Sequence, residues 1–234
     1  MPCPVIVRTM DLAIALPAIV VVSPLLLLIA LIVRFDAGPG ILDRETRLGR
    51  NGIRFRLHKF RTFRPGQPER PRVAPAGDPR VTRSGRFLRP THLDELPQLF
   101  HVVGGTMSLV GPRPEHPELW ASVPADVRAR ALAFRPGLTS PASLAHICED
   151  RVLARLRDPE AAYRDIVFPA KLEMDVAYFE TRRSWLTDFA VLLRTPLAVV
   201  SPRRRRACVC RLTRLIPQEA WRHAGDVGDT LRHA

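Results

Sequence analysis

Between Asp11 and Arg34 the chain carries no charge for 22 residues, LAIALPAIVVVSPLLLLIALIV. At ~1.5 Å rise per residue, a helix of that run reaches across the ~30 Å hydrocarbon core of a bilayer, so a membrane-inserted helix is expected. A cleaved leader fits less well, because the run exceeds the usual apolar core of such peptides and no small-residue cleavage site follows Leu31. Ser23-Pro24 then constrains the geometry. Pro24 has no N–H for the carbonyl of Val20 and its ring clashes there, which predicts a helix kinked or broken near its middle. Such a helix crosses the bilayer or turns back as a re-entrant hairpin. Arg8 before it and the basic stretch after it both carry the mark of cytoplasmic flanks, which favours the hairpin.

The charge is unevenly placed. The chain is formally +13, and 14 basic residues against Glu45, Glu69 and Asp78 put +11 into residues 44–89. The tail 201–234 adds 8 basic residues against 3 acids, including an RRRR run that can attract anionic lipid. Such a surplus calls for anionic partners: phosphates, lipid headgroups or nucleic acid. Aromatic side chains for base stacking are sparse among the arginines, so nucleic acid is not an expected partner. Cys3, Cys148, Cys208 and Cys210 form no metal-binding knuckle, which reads as a reducing compartment without structural zinc.

After the Gly38-Pro39-Gly40 turn, residues 53–61 alternate apolar with basic side chains and predict a half-buried strand ending in Lys59-Phe60-Arg61. Five prolines over residues 64–80 predict a surface loop. Leu93, Leu96, Leu99, Phe100 and Val103 recur at helical spacing. Pro97 is tolerated only within the first turn, so that helix is expected to begin near Leu93 or Asp94 and to end at Gly104-Gly105. Further helices are expected over residues 150–157, 159–180 and 185–200, the last apolar enough for a core or a membrane surface.

Asp94 and Glu95 thus open a helix, where acids also serve simply as caps and dipole partners. Their surroundings point further. Arg86 and Arg89 precede them, Arg113 follows in a stiff Pro-Arg-Pro frame, and the strand supplies Lys59 and Arg61. A carboxylate approaches the phosphorus of a nucleotide diphosphate only when cations and a metal neutralise its oxygens, and magnesium suits one or two carboxylates plus phosphate oxygens. One acid can attack while its neighbour holds the metal; spacing does not say which.

These residues fall into a recognisable order: Arg8-x-x-Asp11, Ser23-Pro24, Gly38-Pro39, Lys59-Phe60-Arg61-Thr62, LDELPQL from Leu93, MSLVGPRP from Met107, and Arg135-Pro136-Gly137-Leu138-Thr139. From Arg8 to about Val200 the chain resembles the bacterial sugar transferases of the monotopic polyprenyl-phosphate phosphoglycosyl transferase family. The resemblance implies a re-entrant membrane helix broken at Ser23 and Pro24. It implies a catalytic Asp94 that attacks a nucleotide sugar, usually UDP-linked, and passes the phosphosugar to polyprenyl phosphate. Glu95 would be the Mg2+ ligand, and Lys59, Arg61, Arg89 and Arg113 would contact phosphate and nucleotide. Glu45, His101, Thr106 and Ser140 stand where Gln, Asn, Asp and Gly are common, and the Thr106 change removes a carboxylate expected near the site.

The expectation is therefore an α/β protein, helix-rich with few short strands: a membrane-inserted helix over residues 1–35, a cytoplasmic catalytic domain over 36–200, and a basic, partly disordered tail over 201–234. Its partners would be a nucleotide sugar, polyprenyl phosphate and membrane lipid at the cytoplasmic face of a bacterial inner membrane, with a homodimer left open. A non-catalytic membrane adaptor, holding anionic lipid through residues 44–89, is the competing reading.

Overall fold

The computed structural model describes residues 3–66 and 77–222. The apolar run forms α1 (Pro4–Asp36), a helix long and apolar enough to cross a membrane. It passes through Ser23 and Pro24 without interruption, so the break expected there is not a break in the helix. A local substitution explains the tolerance. Pro24 leaves the carbonyl of Val20 without its N–H partner, and the Ser23 hydroxyl donates to that carbonyl at 2.8 Å. Val20, Val21, Leu27, Leu28 and Leu31 are exposed, an apolar surface that water does not favour.

One end of α1 is pinned to the body by polar contacts. Arg8 donates to the carbonyls of Val102 and Val103 at 2.5 and 2.6 Å, at the end of the helix α3 (Leu99–Gly104), where the Val102 carbonyl also accepts from the Gly105 N–H. Buried Asp11 accepts from the backbone N–H of Leu109 at 2.9 Å and from the Ser108 hydroxyl at 3.0 Å, in strand β3 (Ser108–Val110). Farther along, Ile29 and Val33 of α1 pack with Phe60, Leu88, Leu93 and Leu96.

The strand expected at residues 53–61 is β2 (Arg54–Phe60), and it pairs antiparallel with β1 (Leu42–Leu48), setting Asp43 opposite Lys59 and Glu45 opposite Leu57. β3 pairs in parallel with β4 (Gly137–Thr139). That pairing brings Gly111 against Gly137 so closely that a Cβ on Gly137 would lie 2.0 Å from the Gly111 nitrogen. The ends of the proline-rich loop are bridged by Phe63 and Val81, and residues 67–76 of that loop lie outside the described residues. Two short two-stranded sheets among many helices make this a helix-rich α/β fold.

The other helices are α2 (Arg83–Leu88), α4 (Ala125–Leu132), α5 (Pro141–Ala145), α6 (Glu149–Leu153), α7 (Pro159–Ala162), α8 (Phe168–Ala177), α9 (Trp185–Val200) and α10 (Pro202–Leu215). Within the tail expected to be basic and partly disordered, residues 202–215 form a helix: α10 buries Cys208, Val209 and Leu212, and Ile216 and Trp221 follow them into the largest core with Trp120, Tyr163 and Phe168. Its apolar positions at i, i+1 and i+4 outweigh the RRRR run, because only one face has to be buried. The expectation for residues 223–234 lies outside the described residues. The fold also joins cysteines far apart in sequence: the backbone N–H of Cys148 meets Cys208 Sγ at 3.4 Å.

Candidate active site

The chain enters the site through His92, which adopts φ +55°, a left-handed conformation costly for a residue with a Cβ. A single 3₁₀ helix, Leu93–Gln98, follows, and Pro97 is accommodated inside it. α3 continues from Leu99 and ends at Gly105, whose φ of +81° caps it. Leu93 and Leu96 face the core containing the end of α1, while Leu99 and Val102 face the core containing Leu57, Met107 and Leu109. The Asp94–Glu95 segment is thus clamped between two apolar clusters.

Asp94 and Glu95 line an open cavity of about 1510 Å³, shared with Lys59, Arg61, Arg89 and Arg113. All six residues singled out for chemistry and substrate contact therefore meet in one place. Ser23 and Pro24 lie in α1 and do not line it.

The two acids differ sharply. Asp94 is buried, and burial together with the charge of Glu95 pushes it up to about 6 despite Lys59, His92 and Arg89 nearby. Burial also acts to raise Glu95, but Arg113 and then His92 outweigh it and hold Glu95 at about 2. The cause is visible: Arg113 Nη2 donates to Glu95 Oε1 at 2.6 Å and Nη1 to Oε2 at 3.3 Å. Glu95 is fixed as an anion, while no hydrogen bond to the Asp94 side chain forms among the described residues.

The cations are ordered by a second set of acids. Lys59 Nζ lies 2.6 Å from Glu45 Oε1, and Glu45 also pairs with Arg47. Arg47 reaches Glu115 Oε2 at 3.1 Å, and Glu115 Oε1 accepts from the Tyr163 hydroxyl at 2.6 Å and lies 3.7 Å from Arg113 Nε. Lys171 extends the network, donating to Glu149 at 2.9 Å and to the Tyr163 oxygen at 3.3 Å. Arg61 pairs with Asp43 at 3.2 Å and donates to the Pro39 carbonyl at 2.7 Å, so it braces the turn as well as facing the cavity. Arg89 lies over the ring of Phe63.

Sequence reasoning missed Arg47, Glu115, Tyr163, Lys171 and Glu149. The only signal for the first was the alternation Asp43, Glu45, Arg47, which marks one face of a strand. It also placed Thr106 near the site. The structure corrects this: Thr106 and His101 lie outside the cavity lining and bond to each other at 3.1 Å. Two departures from the common pattern are therefore partners. Ser140 caps α5, accepting from the backbone N–H of Ser143 at 3.0 Å.

No group of three His, Cys, Asp or Glu side chains able to hold a metal occurs among the described residues. Magnesium does not need one, since it is commonly held by one or two carboxylates with phosphate oxygens and water completing its shell. The Asp94–Glu95 pair fits that requirement.

The family model of bacterial sugar transferases matches residues 4–202. The chain belongs to this family. Bacterial sugar transferases similar to it include the UDP-glucose:undecaprenyl-phosphate glucose-1-phosphate transferase of Caulobacter vibrioides, 36% identical over 194 residues, 80% of this chain and 67% of that protein. The UDP-N-acetylgalactosamine-undecaprenyl-phosphate N-acetylgalactosaminephosphotransferase of Aeromonas hydrophila is 32% identical over 201 residues, 81% of this chain and 46% of that protein. The putative undecaprenyl-phosphate N-acetylgalactosaminyl 1-phosphate transferase of Bacillus subtilis is 41% identical over 112 residues, 47% of this chain and 62% of that protein. The alignments thus take in between about half and two thirds of these relatives. Membership in a transferase family does not favour the adaptor reading.

Proposed function

We propose that this sugar transferase moves a sugar-1-phosphate from a UDP-sugar to polyprenyl phosphate through a covalent intermediate on Asp94. An Asp94 carboxylate oxygen attacks the sugar-bearing β-phosphorus. The bond from that phosphorus to the bridging oxygen breaks, and UMP leaves. A phosphate oxygen of polyprenyl phosphate then attacks the same phosphorus, the bond to Asp94 breaks, and a polyprenyl-diphosphate sugar is released with the carboxylate restored.

The observation that carries this reading is the division of the dyad: a buried Asp94 raised to about 6 beside a Glu95 held at about 2. A carboxylate of raised pKa is the more basic and more nucleophilic of the two, and it stays largely ionised at neutral pH. Lys59, Arg89 and Arg113 offset the charge of the diphosphate in the same cavity. Glu95 would hold Mg2+, giving up part of its contact with Arg113 to do so. When bound, the ion supplies neutralisation of phosphate charge.

The apolar surface of α1 supports attachment to the cytoplasmic face of the bacterial inner membrane, where a soluble donor and a lipid acceptor can reach Asp94 in turn. We read α1 as re-entrant, turning by a bend at Pro24 inside the continuous helix, because both its ends pack on the body: Arg8 and Asp11 on α3 and β3, Ile29 and Val33 on Phe60 and Leu88. Exposed Cys3 tests this: a membrane-impermeant maleimide should label Cys3 and Cys210 from the same face of sealed vesicles, and labelling from opposite faces would make α1 a spanning helix.

The reaction is tested by UMP release from a panel of UDP-sugars with magnesium and polyprenyl phosphate, beside Asp94→Asn. Release that depends on the sugar and vanishes in the folded variant is expected. Release that survives in Asp94→Asn would overturn the covalent route.

A further inference from the structure

α10 lies beyond the family match except for its first residue, and its two faces differ in chemistry. Cys208, Val209 and Leu212 point into the core, which fixes its rotation. On the opposite arc Arg203, Arg206, Cys210 and Arg214 recur at i, i+3, i+7 and i+11, all exposed, with exposed Arg211 at the edge. None of these four arginines forms an ion pair among the described residues.

What precedes this face says what it meets. α9 exposes Trp185, Phe189, Leu193 and Leu197, an apolar stripe at i, i+4, i+8 and i+12, and its first exposed arginine successor in α10 is Arg203, six residues after Leu197. On its other side α9 packs Val191 and Leu192 in the same cluster as Ile14, Ala15 and Ala18 of α1. The stripe therefore belongs to a helix held against the membrane helix. Apolar side chains followed by unpaired arginines is the arrangement of an interfacial element, the first sinking below the headgroups and the second meeting their phosphates.

We propose that the arginine face of α10 docks on anionic lipid headgroups beside α1, setting the tilt of the cavity relative to the bilayer. The proposal rests on the reading of α1 as a membrane helix. Nucleic acid is the competing polyanion, but the apolar stripe on the preceding helix α9 suits acyl chains and offers nothing to a phosphodiester backbone. Arginine suits the role, since its guanidinium forms paired hydrogen bonds to phosphate oxygens.

The test uses the full chain carrying Cys3→Ser, so that Cys210 is the exposed thiol among the described residues, labelled with bimane. The protein is reconstituted in phosphatidylcholine vesicles with or without phosphatidylglycerol, each containing a headgroup-nitroxide lipid as quencher. Quenching several-fold stronger with phosphatidylglycerol is expected, weakening with salt. Substituting Arg203, Arg206 and Arg214 by Gln should weaken docking by about fivefold per residue, and substitution by Lys should restore most of it. Equal quenching in both vesicles, or quenching unchanged in the Gln variant, overturns the proposal. So does a bimane response to duplex DNA that phosphatidylglycerol fails to produce. Failure to float with either vesicle overturns the α1 reading and this one together, whereas flotation without a charge-dependent response overturns this one alone.

Discussion

Arg113 grips both oxygens of Glu95, at 2.6 and 3.3 Å, and by doing so makes two adjacent carboxylates unequal. Glu95 stays an anion well into acid, and its charge, added to burial, raises Asp94. A single guanidinium thus fixes the charge of one member of a pair that looks interchangeable in sequence, while burial and that charge raise the other.

The first consequence is a pH dependence. Asp94 must be a carboxylate to attack, so the UMP burst measured without acceptor should fall tenfold per pH unit below about 6. Omitting polyprenyl phosphate matters because a phosphate monoester has its own second pKa of ≈ 6. Stability should run the opposite way. Between about 4 and 6 the folded state holds a proton on Asp94 that the unfolded state has lost, so stability falls as pH rises through that window. Asp94→Asn removes this fall and should stabilise the protein at pH 7 by about 1–3 kcal/mol. Equal denaturant midpoints for the two proteins at pH 7 would contradict it.

Arg113→Lys keeps the charge but loses the two-pronged grip. Transfer should drop on the order of 100-fold, with the acid limb of the burst moving as Glu95 loses its clamp. A drop in rate with an unmoved acid limb would mean that Arg113 serves substrate alone.

Glu45 ties Lys59 and Arg47 and is held at about 2 by them against the effect of burial. Its contribution to stability is present above about 4.5 and lost as pH falls toward 2. Glu45→Gln should destabilise by about 1–3 kcal/mol at neutral pH and flatten the acid side of the stability curve. It also frees Lys59, so UDP-sugar titrated into the Asp94→Asn background should bind several-fold tighter; calorimetry reads both sign and size.

Asp11 joins α1 to β3 through the Leu109 N–H and the Ser108 hydroxyl. Asp11→Ala leaves that buried N–H without its acceptor and should cost about 1–3 kcal/mol in thermal unfolding in detergent. The acid limb of the burst should not shift, since Asp11 does not line the cavity.

Much of this was legible in the chain. A run of 22 uncharged residues can only be satisfied by apolar surroundings, and the spacing of Leu93, Leu96 and Leu99 sets the helical segment whose start carries the dyad. Local pattern was enough for these because each depends on neighbours within a turn or two. The six site residues came instead from the resemblance carried by the order of motifs, and it is the fold that brings them to one cavity.

The tertiary structure decided what depends on distant partners. Sequence could not foresee that Arg8 and Asp11 of α1 would find their partners in α3 and β3, 94 and 98 residues along the chain. Nor could it foresee that Thr106 would face His101 instead of the dyad, or that α10 would be held by contacts to residues some 60 positions away, such as Cys148. The difference between Asp94 and Glu95 belongs here too, since pKa values follow burial and charge within a few ångströms, and the Arg113 that sets them lies 18 residues along the chain from Glu95.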